Sequence, residues 1–110
     1  MRALMLALAL AASSSHGETC AIGTNGTATF NWVDSTSAGA TYTLQQAAVP
    51  GGPYTTVASG LTGSPEVLTG LAPGTYYWVL IAVVNGAQSA PTPEVCKSIS
   101  PAPATNFTVT

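Results

Sequence analysis

Residues 70–86, GLAPGTYYWVLIAVVNG, constrain the fold more than any other part of the sequence. They begin and end near turn signals, Pro73-Gly74 and Asn85-Gly86, and residues 76–84 between these turns include no charged side chain. A strand with one face in water alternates apolar and polar side chains, whereas this strand is apolar on both faces. We therefore expect a strand whose second face is covered by neighbouring strands or by a partner.

The sequence after residue 17 consists of short alternating segments separated by turns rich in Gly and Pro. The segment TATFNWV places Phe30 and Trp32 on one face of a strand. The segment ATYTLQQA alternates in the same manner and places Tyr42 on one face of a second strand. The dipeptide Asn25-Gly26 is a strong hairpin signal, which implies a short strand before it. No window has helical periodicity, and the strands recur about every ten residues, which predicts a β-sandwich.

The first seventeen residues have the pattern of a secretory signal. Arg2 is followed by an apolar run over residues 3–12 and then by small residues up to Gly17. A run of this length covers about half of the hydrocarbon core of a bilayer, which argues against the alternative of an uncleaved anchor. We therefore predict a chain that is secreted or held at the cell surface, with no membrane segment after cleavage. Cleavage after residue 11 is a second option.

The composition excludes several classes of function. Charged residues make up 5% of the chain, against roughly a quarter in ordinary globular proteins. Without the signal, Lys97 is the sole cationic side chain and no histidine remains, so nucleic acid is not an expected partner. The remaining chain lacks a histidine to act as the base of a nucleophile–base pair, and its two cysteines are too few to form a zinc site. Asp34, Glu66 and Glu94 are scattered along the sequence and are expected to be ordinary solvated carboxylates. We predict no catalytic residue, cofactor or metal.

Two cysteines, Cys20 and Cys96, lie near the two ends of the remaining chain. An even cysteine count in an exported protein favours a disulfide. An internal bridge would close almost the whole domain and would add about 4 kcal/mol to its stability in the chain-entropy model. Free thiols in a reducing compartment and bonds between two chains are the alternatives.

From residue 27 to residue 99 the chain resembles a fibronectin type III domain of the kind common in bacterial secreted proteins. Trp32 matches the core tryptophan of strand B, Tyr42 the tyrosine of strand C, and residues 51–63 the C′ segment with its turn. Residues 70–86 match the most recognisable segment of the family, in which Tyr77 takes the tyrosine-corner position. The resemblance implies an all-β, immunoglobulin-like sandwich of about seven antiparallel strands in two sheets. Its expected structural core is Phe30, Trp32, Tyr42, Leu71, Pro73, Gly74, Tyr77, Val79 and Ile81.

The resemblance also implies which residues lie on each face of the apolar strand. If Tyr77 is the corner tyrosine, every second residue after it points into the core. The opposite face then becomes a candidate interaction face for a protein partner. Its members are Tyr76, Trp78, Leu80 and Val84. The alternative is that neighbouring strands cover this face.

The sequence departs from the family at both ends. The chain before Trp32 is short, so strand A is expected to be shortened. Strands A and G run parallel in this topology, which makes a bridge between Cys20 and Cys96 plausible. Residues 100–110 resemble a Pro-rich linker followed by the first strand of a next domain. Within this tail we predict a donor strand that includes Asn106, Phe107 and Val109.

These observations predict three parts: a signal peptide over residues 1–17, a fibronectin type III domain over residues 18–99 and a linker with a strand-like tail over residues 100–110. The predicted function is that of a non-catalytic exported module, either a structural spacer or a protein-interaction unit. Its expected partner is protein, either self or a neighbouring domain, with self-association through the tail as a variant. The alternative is an N-terminal accessory fragment of a larger secreted carbohydrate-active enzyme. Carbohydrate binding through Tyr76 and Trp78 is a weaker hypothesis.

Overall fold

A computed structural model describes residues 19–110 of the protein. The predicted signal peptide therefore lies outside the described residues. Within residues 19–110 the chain forms eight strands and no helix, so no helix there could cross a membrane. The strands are β1 (Ala21–Gly23), β2 (Ala28–Phe30), β3 (Thr41–Ala47), β4 (Thr55–Leu61), β5 (Glu66–Leu68), β6 (Gly74–Val84), β7 (Ala87–Gln88) and β8 (Val95–Ile99).

The larger sheet has the strand order β1-β8-β6-β3-β4, and β7 pairs with the end of β6. The apolar strand β6 lies at its centre, antiparallel to β3 on one side and to β8 on the other. Leu44 of β3 lies directly opposite Leu80 of β6, and Gln46 lies opposite Trp78. In this central position the side chains of β6 are flanked by those of β3 on one side and, over residues 74–78, by those of β8 on the other.

The smaller sheet consists of β2 and β5, which pair antiparallel. Its residues pack on one face of the larger sheet and close a core around Ala28, Tyr42, Leu44, Trp78 and Leu80. Phe30 and Trp32 pack against this cluster from the β2 side. The predicted two-sheet sandwich is therefore confirmed.

The first strand is short and runs parallel to the last. Ala21 of β1 lies opposite Lys97 of β8, and the pairing extends over only three residues. Just before this ladder, a disulfide joins Cys20 to Cys96, with 4.7 Å between their Cα atoms. The predicted internal bridge is confirmed, and it ties the short edge strand to the strand beside it.

The turn at Asn25-Gly26 does not form a hairpin, contrary to the prediction from this dipeptide. It carries the chain from β1 in one sheet to β2 in the other. Gly26 has φ +70°, and a Cβ atom added there would lie 2.7 Å from the carbonyl oxygen of Leu71. The glycine is needed because the two chain segments approach so closely at the point where the chain changes sheets.

The last eleven residues, 100–110, leave the sandwich as an exposed segment without a strand. Phe107 and Val109 keep 92% and 93% of their surface exposed. The strand predicted around Asn106, Phe107 and Val109 is therefore not formed within this chain, and Asn106 has a positive φ of 56°. The alternating apolar residues of the tail have no covering surface among the described residues.

Candidate functional site

Trp78 lies at the centre of the core. Only 1% of its surface is exposed, and its ring packs edge-on against Phe30, with the ring centroids 4.8 Å apart. Its other aromatic neighbour, Tyr76, is stacked at 5.8 Å. The indole Nε1 donates a hydrogen bond to Oε1 of Gln46 at 2.8 Å, which satisfies the one polar atom of this side chain.

The predicted interaction face of Tyr76, Trp78, Leu80 and Val84 is therefore wrong. Trp78 and Leu80 belong to the core cluster, Tyr76 packs against it, and Val84 is partly buried at the end of β6. The two faces of β6 are inverted relative to the prediction, because a shift of one residue exchanges all the side chains of a strand between its faces. Carbohydrate binding through Trp78 loses its basis as well, since a sugar ring cannot stack on a buried indole.

The corner tyrosine is Tyr76, one residue before the predicted Tyr77. The hydroxyl of Tyr76 donates to the carbonyl oxygen of Ala72 at 2.6 Å, which is the contact that defines this motif. Tyr77 lies on the other face of the sheet, opposite Ala47 on one side and Cys96 on the other.

Val79 and Ile81, both predicted core residues, share the outer face with Tyr77 and so lie outside the cluster around Trp78. They are nonetheless buried, with 6% and 8% of their surface exposed. Gln45 and Thr43 of β3 lie directly opposite them. The outer face of β6 thus offers no large exposed patch at these two positions.

The remaining predicted core residues divide into two groups. Phe30, Trp32 and Leu71 pack against the core cluster, and Tyr42 belongs to it. The rings of Trp32 and Tyr42 lie 5.4 Å apart, and the hydroxyl of Tyr42 accepts a hydrogen bond from the amide of Ser35. Pro73 and Gly74, by contrast, are exposed and form the turn into β6 rather than part of the core.

A cleft of about 290 Å³ opens between the two sheets beside β2, and we call it the β2 cleft. One wall is formed by the end of β2 and the residues after it, and the other by β6 and the segment that leads into β8. The indole Nε1 of Trp32 is buried in this region and has no hydrogen-bond partner within residues 19–110. The lining residues are Phe30, Asn31, Trp32, Leu44, Trp78, Val79, Leu80, Thr92, Pro93 and Val95.

The outer edge of β2, beside this cleft, is unpaired in the described part of the chain. The carbonyl of Gly26 accepts from Leu71, and the amide of Trp32 donates to Ser64, so residues 26 and 32 turn their backbone toward the β5 side. Successive residues of a strand direct their backbone N–H and C=O groups to opposite edges, so those of Thr29 and Asn31 point away from β5. No strand lies there in the described two-stranded sheet.

Two of the charged side chains, Lys97 and Glu94, have structural roles. Nζ of Lys97 donates to the carbonyl oxygen of Thr27 at 2.7 Å, which connects β8 to the start of β2. Oε2 of Glu94 accepts from the amide of Gly51 at 2.9 Å and from the hydroxyl of Tyr54. Glu94 is thus not the isolated solvated carboxylate that the sequence predicted. No group of three His, Cys, Asp or Glu within residues 19–110 could hold a metal ion.

Sequence reasoning missed the β2 cleft and the contact of Glu94 with residues 51 and 54. Both depend on long-range contacts, since Val95 and Trp32 lie 63 positions apart in the sequence and Glu94 is 43 residues from Gly51. The one signal for the cleft was the shortness of the chain before Trp32, which predicted a shortened first strand but not the space it leaves.

The two packed sheets, the parallel pairing of the first strand with the last and the tyrosine corner define an immunoglobulin-like β-sandwich. No family model and no curated protein matches the sequence. Among solved structures, the chain is similar to a Fn3-like protein from Clostridium thermocellum. The two are 28% identical and superpose with a TM-score of 0.64, covering 77% of this chain and 91% of that one. The domain is therefore fibronectin type III-like, as the sequence resemblance implied.

Proposed function

We propose that this protein is an exported, non-catalytic module that acts as a structural spacer or protein-interaction unit and associates with itself through its C-terminal tail. The observation that carries the proposal is the contrast between the sandwich and the tail. Most large apolar side chains of the sandwich are at least partly buried, whereas Phe107 and Val109 are almost fully exposed in a segment without a strand. Apolar residues in this arrangement favour contact with another protein surface.

The absence of a catalytic role is supported by the use of the polar side chains. Glu94 and Lys97 are bonded to backbone groups of the sandwich, and the hydroxyl of Tyr76 is bonded to Ala72. These contacts join strands and turns to each other. The three side chains do not converge on a shared cavity. A fibronectin type III-like fold is typically a non-catalytic module, although function is decided by the site rather than by the fold.

Export is supported by the bridge between Cys20 and Cys96, because disulfides form and persist in oxidising compartments. The N-terminal sequence pattern of a secretory signal points to the same compartment.

The experiment that tests self-association is sedimentation velocity on the purified protein over a wide concentration range. The full chain is compared with a variant that lacks residues 105–110. We expect the sedimentation coefficient of the full chain to rise with concentration and that of the truncated variant to stay at the monomer value. If both forms remain monomers at the highest concentration, the self-association part of the proposal is wrong.

A further inference from the structure

We propose that the β2 cleft is the acceptor site for residues 105–110 of a second copy of this chain, with Phe107 as the buried anchor. This inference rests on the proposed function, because it assigns the surface on which the tail would dock. The mode is strand addition, in which an extended segment pairs with a free sheet edge and places alternate side chains in pockets.

The proposed acceptor site has a strand edge with unpaired backbone groups. Thr29 and Asn31 direct backbone N–H and C=O groups away from β5, toward a side with no described strand. An unpaired strand edge is a template for pairing with another chain. The contact of Lys97 with Thr27 closes the start of this edge, so the open part begins at Thr29 and continues along the cleft.

The cleft also carries an unmet hydrogen-bond donor. Nε1 of Trp32 is buried without a partner among residues 19–110, and leaving a buried donor unpaired is costly. A strand laid along the edge at Asn31 would pass the residue next to Trp32 in the chain, and its carbonyl and hydroxyl oxygens are the kind of acceptor that this donor lacks. The cleft volume of about 290 Å³ lies at the lower limit of the usual range for small-molecule pockets, which suits one aromatic side chain better than a larger ligand.

The tail has the properties of the matching donor. Phe107 and Val109 alternate with Thr108 and Thr110, so an extended tail has one apolar and one polar face. Six residues in extended conformation span about 20 Å, which is the length of a typical strand. Neither the tail nor the lining of the cleft has a charged side chain, so no side-chain charge has to be buried in the contact.

The direction of the chain favours a second copy over the chain's own tail. The tail leaves β8 at Ser100, whose amide is bonded to Gly23, whereas the cleft lies beside Val95 at the other end of β8. To reach its own cleft, the tail would have to reverse direction past Pro101 and Pro103, which favour an extended chain. A contact from the tail of one copy to the cleft of the next is heterologous and extends into an open, head-to-tail chain.

The test is a set of two-dimensional ¹H–¹⁵N NMR spectra of the purified protein at increasing concentration, with sedimentation velocity on the same samples. The two indole signals give an internal control, because Nε1 of Trp78 is already bonded to Gln46. We expect the Trp32 indole signal and the Thr29 and Asn31 amide signals to shift with concentration, while the Trp78 indole signal stays in place.

Two tail variants provide the matched comparison. Phe107→Asp is expected to weaken association at least about tenfold, because a buried aromatic side chain is replaced by a charge. Thr108→Asp adds the same charge one residue further on, on the polar face of the tail, and is expected to change the affinity by less than about threefold. Equal loss of association in the two variants would overturn the role of Phe107 as the anchor.

The remaining outcomes separate this inference from the proposed function. If the protein associates but the signals of Thr29, Asn31 and Trp32 do not move, the tail docks elsewhere; the acceptor site is then wrong and self-association stands. If these signals differ between the full chain and the truncated variant while both remain monomers, the tail occupies its own cleft, and the second copy is excluded. If neither association nor any shift occurs, both proposals fail.

Discussion

The hydroxyl of Tyr76 lies 2.6 Å from the carbonyl oxygen of Ala72 and donates a hydrogen bond to it, whereas the next residue, Tyr77, points to the opposite face of the sheet. Two adjacent tyrosines thus have different roles, and the corner is fixed by the first of them. This relationship determines which residues of β6 face the smaller sheet.

The tyrosine corner yields a direct test. Tyr76→Phe removes only the hydroxyl and is expected to lower the free energy of unfolding by about 1 kcal/mol, the usual net value of one hydrogen bond. Tyr77→Phe is the matched control and is expected to have a smaller effect. Urea denaturation followed by tryptophan fluorescence measures both. A larger loss of stability in Tyr77→Phe than in Tyr76→Phe would show that Tyr77 is the corner tyrosine.

The place of Trp78 in the core predicts a large stability effect. Trp78→Ala is expected to cost about 3–5 kcal/mol, as large-to-small substitutions of buried aromatic residues do. Val33→Ala, at an apolar residue that is 95% exposed, is expected to change stability by less than about 0.5 kcal/mol. Both are measured by chemical denaturation.

Because Trp78→Ala removes much of the stability of a small domain, Trp78→Phe is a second variant that keeps an aromatic ring but leaves Gln46 without its donor. A clear loss of about 1–3 kcal/mol is expected for it. Stabilities equal to the wild type in both Trp78 variants would place this residue on the surface after all.

The turn between the two sheets predicts that Gly26 tolerates no side chain. Gly26→Ala is expected to be more destabilising than Gly39→Ala by about 1 kcal/mol or more. Both glycines have positive φ, of 70° and 76°, but an added Cβ atom meets the carbonyl of Leu71 only at Gly26 and has open space at Gly39. The difference between their thermal midpoints therefore isolates the steric contact from the dihedral cost.

Removal of the disulfide is expected to lower the stability by about 4 kcal/mol, because the bond closes a loop of nearly the whole sandwich. The double variant Cys20→Ala/Cys96→Ala tests this by urea denaturation. Wild-type protein with and without a reductant is the control, and the reduced protein is expected to behave like the double variant. A midpoint unaffected by either treatment would contradict the prediction.

Much of the fold could be predicted from the sequence because its signals are local. Turns at Gly and Pro separate β3, β4, β5 and β6, and each of these strands lies close to the predicted segment. The disulfide was predictable from the cysteine count together with the signal-like N terminus. Phe30 and Trp32 could be placed at the core because their strand has only one apolar face.

The orientation of β6 could not be predicted in the same way. Alternation identifies a buried face only when the other face is polar, and residues 76–84 are apolar throughout. The choice between Tyr76 and Tyr77 therefore depends on which of them reaches Ala72 once the chain is folded. The cleft likewise could not be read from the sequence, because its walls come from strands that meet only in the folded sandwich.

The bond between Cys20 and Cys96 has a mechanical consequence. It joins the start of the described chain to a residue only three positions before the end of β8, 76 positions further along the sequence. When tension acts between residue 19 and residue 100, the shortest covalent path crosses the sulfur atoms and continues through residues 97–99. The β-strands enclosed by this bond carry none of the load, so the domain behaves under force as an almost inextensible link rather than as a spring that unfolds.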